Sequence, residues 1–253
     1  MSLNKKKILP IIIIFIAVLA LLGLGVTFFT LFFDHAILLR NGTFYRADVN
    51  EKVAAVTFDD GPSYDWTPRI LDALKRLNAK ATFFMIGDHV LKYPIVAKRV
   101  AAEGHDIGIH SMGHHNYLYL TKYELQKDIE DSRALIRQVT GKDTTLFRPP
   151  KAWLSKREKE KIKSLGYTVV LWSLNSKDWV HFDDKYITKY ILRNIRPGDI
   201  ILFHDSGGSF RLEGGDRKET VLAVTRIIEK LRESGYRFVT ISELLKMDKN
   251  EKR

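Results

Sequence analysis

The chain has 253 residues, enough for one large domain or two small ones. It contains no cysteine, which excludes a disulfide framework and a thiolate metal site. The formal net charge of +11 suits an anionic partner such as a wall polymer or a lipid headgroup. The globular part has no concentrated basic block with interleaved aromatic residues, so no nucleic-acid partner is predicted, and no protein partner can be named.

The N-terminus has the clearest compositional signal. Lysines at positions 5–7 precede a run over residues 8–33 that contains no charged residue. A run of that length predicts a bilayer span, and the lysines predict a cytoplasmic N-terminus. A cleavable signal peptide is the alternative, but its apolar region is usually shorter and ends in small residues. We therefore expect residues 1–7 in the cytoplasm, an uncleaved single-pass signal anchor over residues 8–33, and an extracellular remainder at the cell membrane.

Three further segments are expected after the anchor. Residues 34–50 form a linker, with a short hairpin predicted around Asn41-Gly42. Residues 51–246 form one folded domain, because no second break in composition appears. Residues 247–253 form a charged tail.

The folded domain alternates predicted strands and helices. One strand is predicted from Val53 to the carboxylates at 59–60, and a short one directly before Arg148. Five more are predicted over residues 81–86, 105–109, 167–172, 199–203 and 236–241. Helices are predicted over residues 68–77, 95–102, 121–139 and 219–233, from Ser155, from Asp183 or Asp184, and after Ser242. Four of the helices end at a glycine that precedes a strand, which indicates an α/β class with parallel strands. About seven strands favour a barrel, and an open sheet remains an alternative.

Two adjacent carboxylates, Asp59 and Asp60, end the first predicted strand before a Gly-Pro turn. Successive strand residues point to opposite sides, so the two carboxylates are expected to have different roles. One would hold a cation and the other would transfer a proton. A polar strand end without function is the structural alternative.

Two histidines, His110 and His114, follow another predicted strand. Spaced four apart, they are expected on the same side of a helical turn, where both imidazoles reach one metal ion. Together with Asp60 they would make a site of two histidines and one carboxylate, with His115 as a spare ligand. Zinc, cobalt, nickel and iron all suit such a donor set.

Three more motifs follow strands, and each has a structural alternative. Arg148 precedes two prolines and offers a planar fork for a carboxylate, with Asp59 as a plausible partner. Trp179 lies beyond a strand, next to Asp178, where it would line a cleft or pack in the core. His204 ends an apolar strand and is either a site residue or a core histidine. The glycine-rich residues 206–218 are expected to form a loop on the rim of the site.

In this order, the motifs resemble the five signatures of the NodB-type polysaccharide deacetylases, carbohydrate esterase family 4. The resemblance covers residues 57–204 and implies a distorted (β/α) barrel. It also implies the following roles: Asp59 as catalytic base, Asp60, His110 and His114 as metal ligands, Arg148 as the residue that orients the base, His204 as general acid, Asp178 as the carboxylate that tunes it, Leu202 and Trp179 as acetyl-pocket residues, and the Lys151 backbone N–H as an oxyanion donor.

The chain departs from the family pattern at four positions without losing a catalytic group. Lys151 stands where tyrosine is common, and Asn175 stands where aspartate is common. Gly113 and His115 replace a commoner serine or threonine and a proline. These departures concern substrate preference and not the reaction.

The resemblance implies metal-dependent hydrolysis of N-acetyl groups on a cell-wall or extracellular polysaccharide, with release of acetate. Zinc is the favoured metal, and N-acetylglucosamine or N-acetylmuramic acid of peptidoglycan is the favoured substrate. Deacetylation of chitooligosaccharides or exopolysaccharides, and hydrolysis of O-acetyl esters on xylan, are alternatives within the same class. A non-catalytic wall-glycan-binding protein is an alternative from another class, and such a protein should have lost at least one metal or acid–base residue.

Overall fold

A computed structural model of the protein describes residues 5–34, 39–180, 183–207 and 214–249. The chain divides into two compact units, Met1–Leu38 and Leu39–Arg253. The first unit contains helix α1 (Lys5–Asp34), which includes the run predicted to span a membrane. Among the described residues, no helix has both the length and the apolar character needed to cross a membrane.

The second unit is built on a sheet of parallel strands. Its described strands are β1 (Val53–Asp59), β2 (Thr82–Met85), β3 (Asp106–Ile109), β4 (Leu146–Phe147), β5 (Thr168–Val169), β6 (Leu174–Asn175), β7 (Asp199–His204) and β8 (Arg237–Phe238). The order across the sheet is β5-β4-β3-β2-β1-β7-β6, and β8 also pairs with β1. Every strand pair is parallel. The predicted α/β class with parallel strands is confirmed.

The sheet is a barrel that strand pairing does not close. Its two edge strands, β5 and β6, are consecutive in the chain, and no ladder joins them in the described part of the chain. The strand predicted over residues 167–172 is wrong in length, because β5 ends at Val169 and the chain then crosses to β6. In that crossing Val170 pairs with Phe44 of the linker. The first strand of the hairpin predicted around Asn41-Gly42 includes residues 37 and 38, which lie outside the described residues.

Helices connect the other successive strands, as the alternation predicted, but the described connection from β5 to β6 contains none. The described helices of this unit are α2 (Trp66–Arg76), α3 (Gly87–Lys92), α4 (Pro94–Ala102), α5 (Lys122–Thr140), α6 (Lys156–Ser164), α7 (Asp184–Asn194), α8 (Lys218–Glu233) and α9 (Ile241–Met247). The predicted capping boxes at Thr121 and Ser155 are both present, and each satisfies backbone N–H groups at a helix start.

The two faces of β1 have different environments. Phe58 stacks on Phe83 of β2 at 5.0 Å between ring centroids and lies 5.9 Å from Phe203 of β7. These rings belong to the apolar core. Thr57 and Asp59 alternate with Phe58 and therefore face the other way, towards the interior of the barrel. The alternation along one strand thus separates the core from the polar residues of the site.

Candidate active site

The strand ends bring the predicted site residues to one rim of the barrel. Asp59 is the last residue of β1 and His204 the last of β7, and the two are register partners. His110 follows β3 directly, and Arg148 follows β4 directly. Asp178 follows β6 in a short 3₁₀ turn. Carboxyl ends of parallel strands meet on the same side of a sheet, which explains why motifs far apart in sequence converge.

Asp60, His110 and His114 form the one group of potential metal ligands found among the described residues. One ligand atom from each side chain lies within 4.8 Å of the others. Asp60 Oδ1 is 3.4 Å from His110 Nε2 and 3.5 Å from His114 Nε2. His110 Nδ1 lies 2.8 Å from the carbonyl oxygen of Arg148, a contact that fixes the ring with Nε2 on the side of Asp60. This donor set fits a divalent metal ion, as the sequence predicted.

The protonation states of two of the ligands suit metal binding. Burial opposes ionisation of Asp60, but the hydrogen bond with His110 and the imidazoles of His204, His110 and His114 outweigh it. They hold the pKa of the Asp60 carboxyl below its ordinary value. Burial and the charge of His110 lower the pKa of His114 to about 4, so that its imidazole is neutral near pH 7. A carboxylate and a neutral imidazole are the forms that bind a metal.

The helical turn predicted for the two histidines is wrong, although their imidazoles do lie close together. Residues 110–116 form a loop and not a helical turn, because Ser111 and His114 have φ values of 71° and 58°. His115 is not a spare ligand. Its Nδ1 lies 2.5 Å from Asp128 Oδ2, which turns the ring towards α5.

Arg148 and Asp59 form a buried ion pair inside the barrel, as predicted. Arg148 Nη1 donates to Asp59 Oδ1 at 2.7 Å and to Thr57 Oγ1 at 2.8 Å. Its Nε and Nη2 donate to the carbonyl oxygens of Val170 and Leu171, each at 3.2 Å. Arg148 thus joins β1 to the crossing between β5 and β6, where no strand ladder exists.

His204 and Asp178 form a second buried pair on the same rim. His204 Nδ1 lies 2.8 Å from Asp178 Oδ1, and the backbone N–H of His204 donates to Asp178 Oδ2 at 2.9 Å. Burial favours the neutral imidazole, but the Asp178 carboxylate outweighs burial and raises the pKa of His204. The bond at Nδ1 fixes the ring and turns Nε2 away from Asp178. This arrangement suits a general acid.

Several residues that support the site carried no motif in the sequence. Thr220 Oγ1 donates to Asp178 Oδ2 at 2.9 Å, and Arg217 Nη1 donates to the carbonyl oxygen of Asp178 at 3.2 Å. His89 Nδ1 lies 2.7 Å from the carbonyl oxygen of Asp60, whose φ is 76°. These residues lie 29 to 42 positions from the groups they contact, and nothing in their spacing indicates the contact.

Asp205 is another such residue, although it directly follows His204. Its Oδ2 accepts a hydrogen bond from Thr67 Oγ1 at 2.6 Å, and its backbone oxygen accepts one from Ser63 Oγ at 2.6 Å. Burial raises the pKa of Asp205 to about 7, opposed by the Thr67 bond and assisted by the charge of Asp60. Its position beside a site histidine is a signal that sequence analysis could have used.

The predicted pocket residues lie near the rim, and their roles stay predictions. Leu202 is buried on β7 and is the register partner of Thr57. Trp179 is half-buried in the 3₁₀ turn that also contains Asp178. Lys151 is exposed, with φ 58°, and its charge contributes to the lowered pKa of His114. Within the predicted rim loop, residues 208–213 lie outside the described residues.

Comparisons with known proteins show the family of this chain. The family profile described as polysaccharide deacetylase matches residues 46–170. A peptidoglycan-N-acetylglucosamine deacetylase of Bacillus cereus is 40% identical over 199 residues, which cover 78% of this chain and 90% of that protein. This chain belongs to the polysaccharide deacetylase family. The expected distorted barrel and the hydrolase class of the deacetylase follow from that membership.

Solved structures show the same fold. The crystal structure of the Bc1960 peptidoglycan N-acetylglucosamine deacetylase, in complex with a hydroxamate-type benzamide, is 31% identical and has a TM-score of 0.76, with 82% of this deacetylase and 94% of that chain covered. A family 4 pseudoenzyme from Bacillus anthracis is 27% identical and has a TM-score of 0.72, with 81% and 69% covered. Because a pseudoenzyme shares the fold, the fold alone does not determine catalytic activity.

Proposed function

We propose that this deacetylase removes N-acetyl groups from peptidoglycan and releases acetate. The observation that carries the proposal is the placement of two buried pairs, Asp59–Arg148 and His204–Asp178, beside one metal-ligand group. Amide hydrolysis requires a base, an acid and an electrophile at one place. The rim brings together a proposed base, a proposed acid and three side chains that would hold a metal ion as the electrophile.

Asp60, His110 and His114 would hold the metal ion. Two imidazoles and one carboxylate suit zinc, which we propose as the metal, with cobalt, nickel and iron as alternatives. When bound, such an ion lowers the pKa of a water molecule and polarises a carbonyl oxygen. The remaining groups of the site act on protons and on the position of the substrate.

Asp59 is proposed as the base that takes the proton of the attacking water. Its Oδ1 is held by Arg148, while Oδ2 lies 3.9 Å from His110 Nε2 and so is on the side of the metal ligands. The guanidinium donates to the carboxylate and fixes its plane. The water oxygen then bonds to the acetyl carbon.

His204 is proposed as the acid that protonates the leaving nitrogen. Its ring is fixed by Asp178, so its Nε2 can deliver a proton while the carbon–nitrogen bond breaks. The products are acetate and a free amine on the sugar. We also propose that the Lys151 backbone N–H stabilises the oxyanion, and that Trp179 and Leu202 line the acetyl pocket, as the family resemblance implies.

Two observations support peptidoglycan as the substrate: the activity named for the relatives and the net charge of this chain. The Bacillus cereus relative is a peptidoglycan-N-acetylglucosamine deacetylase. A net charge of +11 favours approach to an anionic wall. The non-catalytic alternative is disfavoured, because the proposed base, the proposed acid and three potential metal ligands are all retained among the described residues.

We further propose that residues 8–33 hold the deacetylase at the cell membrane, with the catalytic unit outside. The support lies in the sequence, in the lysines at 5–7 and the uncharged run that follows. Fractionation of cells that express the full chain, followed by protease treatment of intact cells, tests this. Recovery of the chain in the cytosolic fraction, protected from protease, would contradict it.

A substrate panel tests the proposed function. The full-length protein would be incubated with purified peptidoglycan, N-acetylglucosamine oligomers and O-acetylated xylan, and acetate would be measured. We expect the highest kcat/KM on peptidoglycan, and analysis of the digested product shows whether glucosamine or muramic acid has been formed. Release from xylan alone would replace the proposal with the esterase alternative.

A further inference from the structure

One carboxylate outside the site organises the loop that carries two of the metal ligands. Asp128 lies on α5 and is 8% exposed. Its Oδ1 accepts hydrogen bonds from the Met112 backbone N–H at 3.1 Å and from the Tyr117 hydroxyl. Its Oδ2 accepts from Ser111 Oγ at 3.3 Å and lies 2.5 Å from His115 Nδ1. Four donors, all from the stretch 111–117, therefore converge on one side chain.

The loop over residues 110–117 needs such support because no regular element holds it. Between His110 and the 3₁₀ turn Tyr117–Tyr119 it contains no helix or strand. Two of its residues, Ser111 and His114, have φ values of 71° and 58°, a region that non-glycine residues adopt only when their surroundings enforce it. His114 must stay in that conformation for its Nε2 to remain 3.5 Å from Asp60.

Asp128 is also anchored in place. It is in the middle of the 19-residue helix α5, which begins in a capping box at Thr121. Burial and the Asp128 carboxylate raise the pKa of Tyr117 well above its ordinary value, so that its hydroxyl remains a donor. The Tyr117 ring packs edge-on against Phe147, at 5.2 Å between ring centroids, one residue before Arg148. The contact network thus extends from α5 to the strand that presents Arg148.

We propose that Asp128 is a positioning residue for the metal centre. By holding the His110–Tyr117 loop, Asp128 sets the affinity of the site for the metal ion. The contacts that hold the loop are those with Ser111, Met112, His115 and Tyr117. The inference rests on the metal site of the proposed function. Asp128 is not itself a ligand, because both of its oxygens are occupied by donors from the loop. The His115 donor is a feature of this chain, since proline is the commoner residue at that position of the family motif and has no side-chain donor.

Zinc affinity of the full-length protein tests the inference. Wild type, Asp128→Asn and His115→Ala would be stripped of metal and titrated with Zn²⁺ against a chromophoric chelator. Asp131→Asn is the matched control, because Asp131 lies on the same helix, is exposed and pairs with the exposed Lys127. Circular dichroism and thermal unfolding of the metal-free proteins would establish that each variant is folded.

We expect Asp128→Asn to bind one equivalent of zinc about tenfold or more weakly, the range seen when a residue that orients metal ligands is changed. The asparagine amide has one acceptor oxygen, so it cannot serve four donors. Asp131→Asn should match wild type, and His115→Ala should be weaker by a smaller factor. If Asp128→Asn does not fold, the zinc Kd of His115→Ala, a change at a half-exposed position, tests the inference instead.

Two other results have different meanings. If folded Asp128→Asn binds zinc with the wild-type Kd, this inference is overturned and the proposed function stays intact. If Asp128→Asn does not fold, a wild-type Kd in His115→Ala has the same meaning. Absence of metal binding by wild type would overturn the metal centre and, with it, both proposals.

Discussion

Arg148 Nη1 lies 2.7 Å from Asp59 Oδ1, and the two side chains are 0% and 5% exposed. A buried guanidinium thus holds the proposed base inside the barrel. It also contacts the crossing that links β5 to β6, so the same residue holds the proposed base and the open side of the barrel.

Arg148→Met should impair both stability and activity. Removing one partner of a buried ion pair leaves the other charge unpaired, which destabilises a protein by about 3–5 kcal/mol. Urea unfolding and acetate release would measure the two effects. The double variant Arg148→Met/Asp59→Asn removes both charges and should recover much of the stability without any activity. Equal stability of the single and double variants would contradict a direct charge interaction.

The pH dependence of turnover should depend on Asp178. The Asp178 carboxylate outweighs burial and raises the pKa of His204, and a general acid must be protonated to act. Asp178→Asn should therefore lower the pKa of His204 and move the alkaline decline of kcat to lower pH. Asp183→Asn is a suitable control, because Asp183 caps α7 and asparagine caps a helix equally well. An unchanged alkaline decline in Asp178→Asn would show that another group is the acid.

Gly61→Ala should disturb the site because the added methyl group has no space. A Cβ at position 61 would lie 2.1 Å from Asp205 Oδ2, and Asp205 is buried and held by Thr67. Overpacking of this kind costs about 1–3 kcal/mol, and the strain falls one residue from the ligand Asp60. We expect a lower Tm and a lower zinc content. Gly23→Ala should leave both unchanged, because among the described residues nothing beyond the backbone of its own helix lies within 4 Å of the added Cβ. Wild-type zinc content in folded Gly61→Ala would contradict the close approach.

Much of the site was predictable because its residues end strands. Apolar runs that stop at Asp59, His110 and His204 indicate the rim directly, since parallel strands place such residues side by side. Local geometry was less predictable. The spacing of His110 and His114 fits a helix, but the contacts of Asp128 favour a loop with positive φ values. The spacing alone contains no information about a residue on α5.

The supporting contacts were the least predictable. Arg217 donates to the carbonyl oxygens of Ser206, Gly207 and Asp178 from a position just before α8. Such a contact depends on tertiary packing and on backbone acceptors, which have no sequence signature. The short β5 has a similar explanation, because Phe44 of the linker pairs with Val170 where the sequence alone suggests that the strand continues.

Acetate release from purified peptidoglycan is the most direct test of the central claim. The full-length wild type and Asp59→Asn would each be assayed as isolated, after chelation, and after zinc is restored. We expect wild type to lose activity on chelation and regain it with zinc, and Asp59→Asn to stay inactive although it binds zinc. Equal release by wild type and folded, zinc-loaded Asp59→Asn would contradict the assignment of Asp59 as the base and the mechanism proposed for this rim.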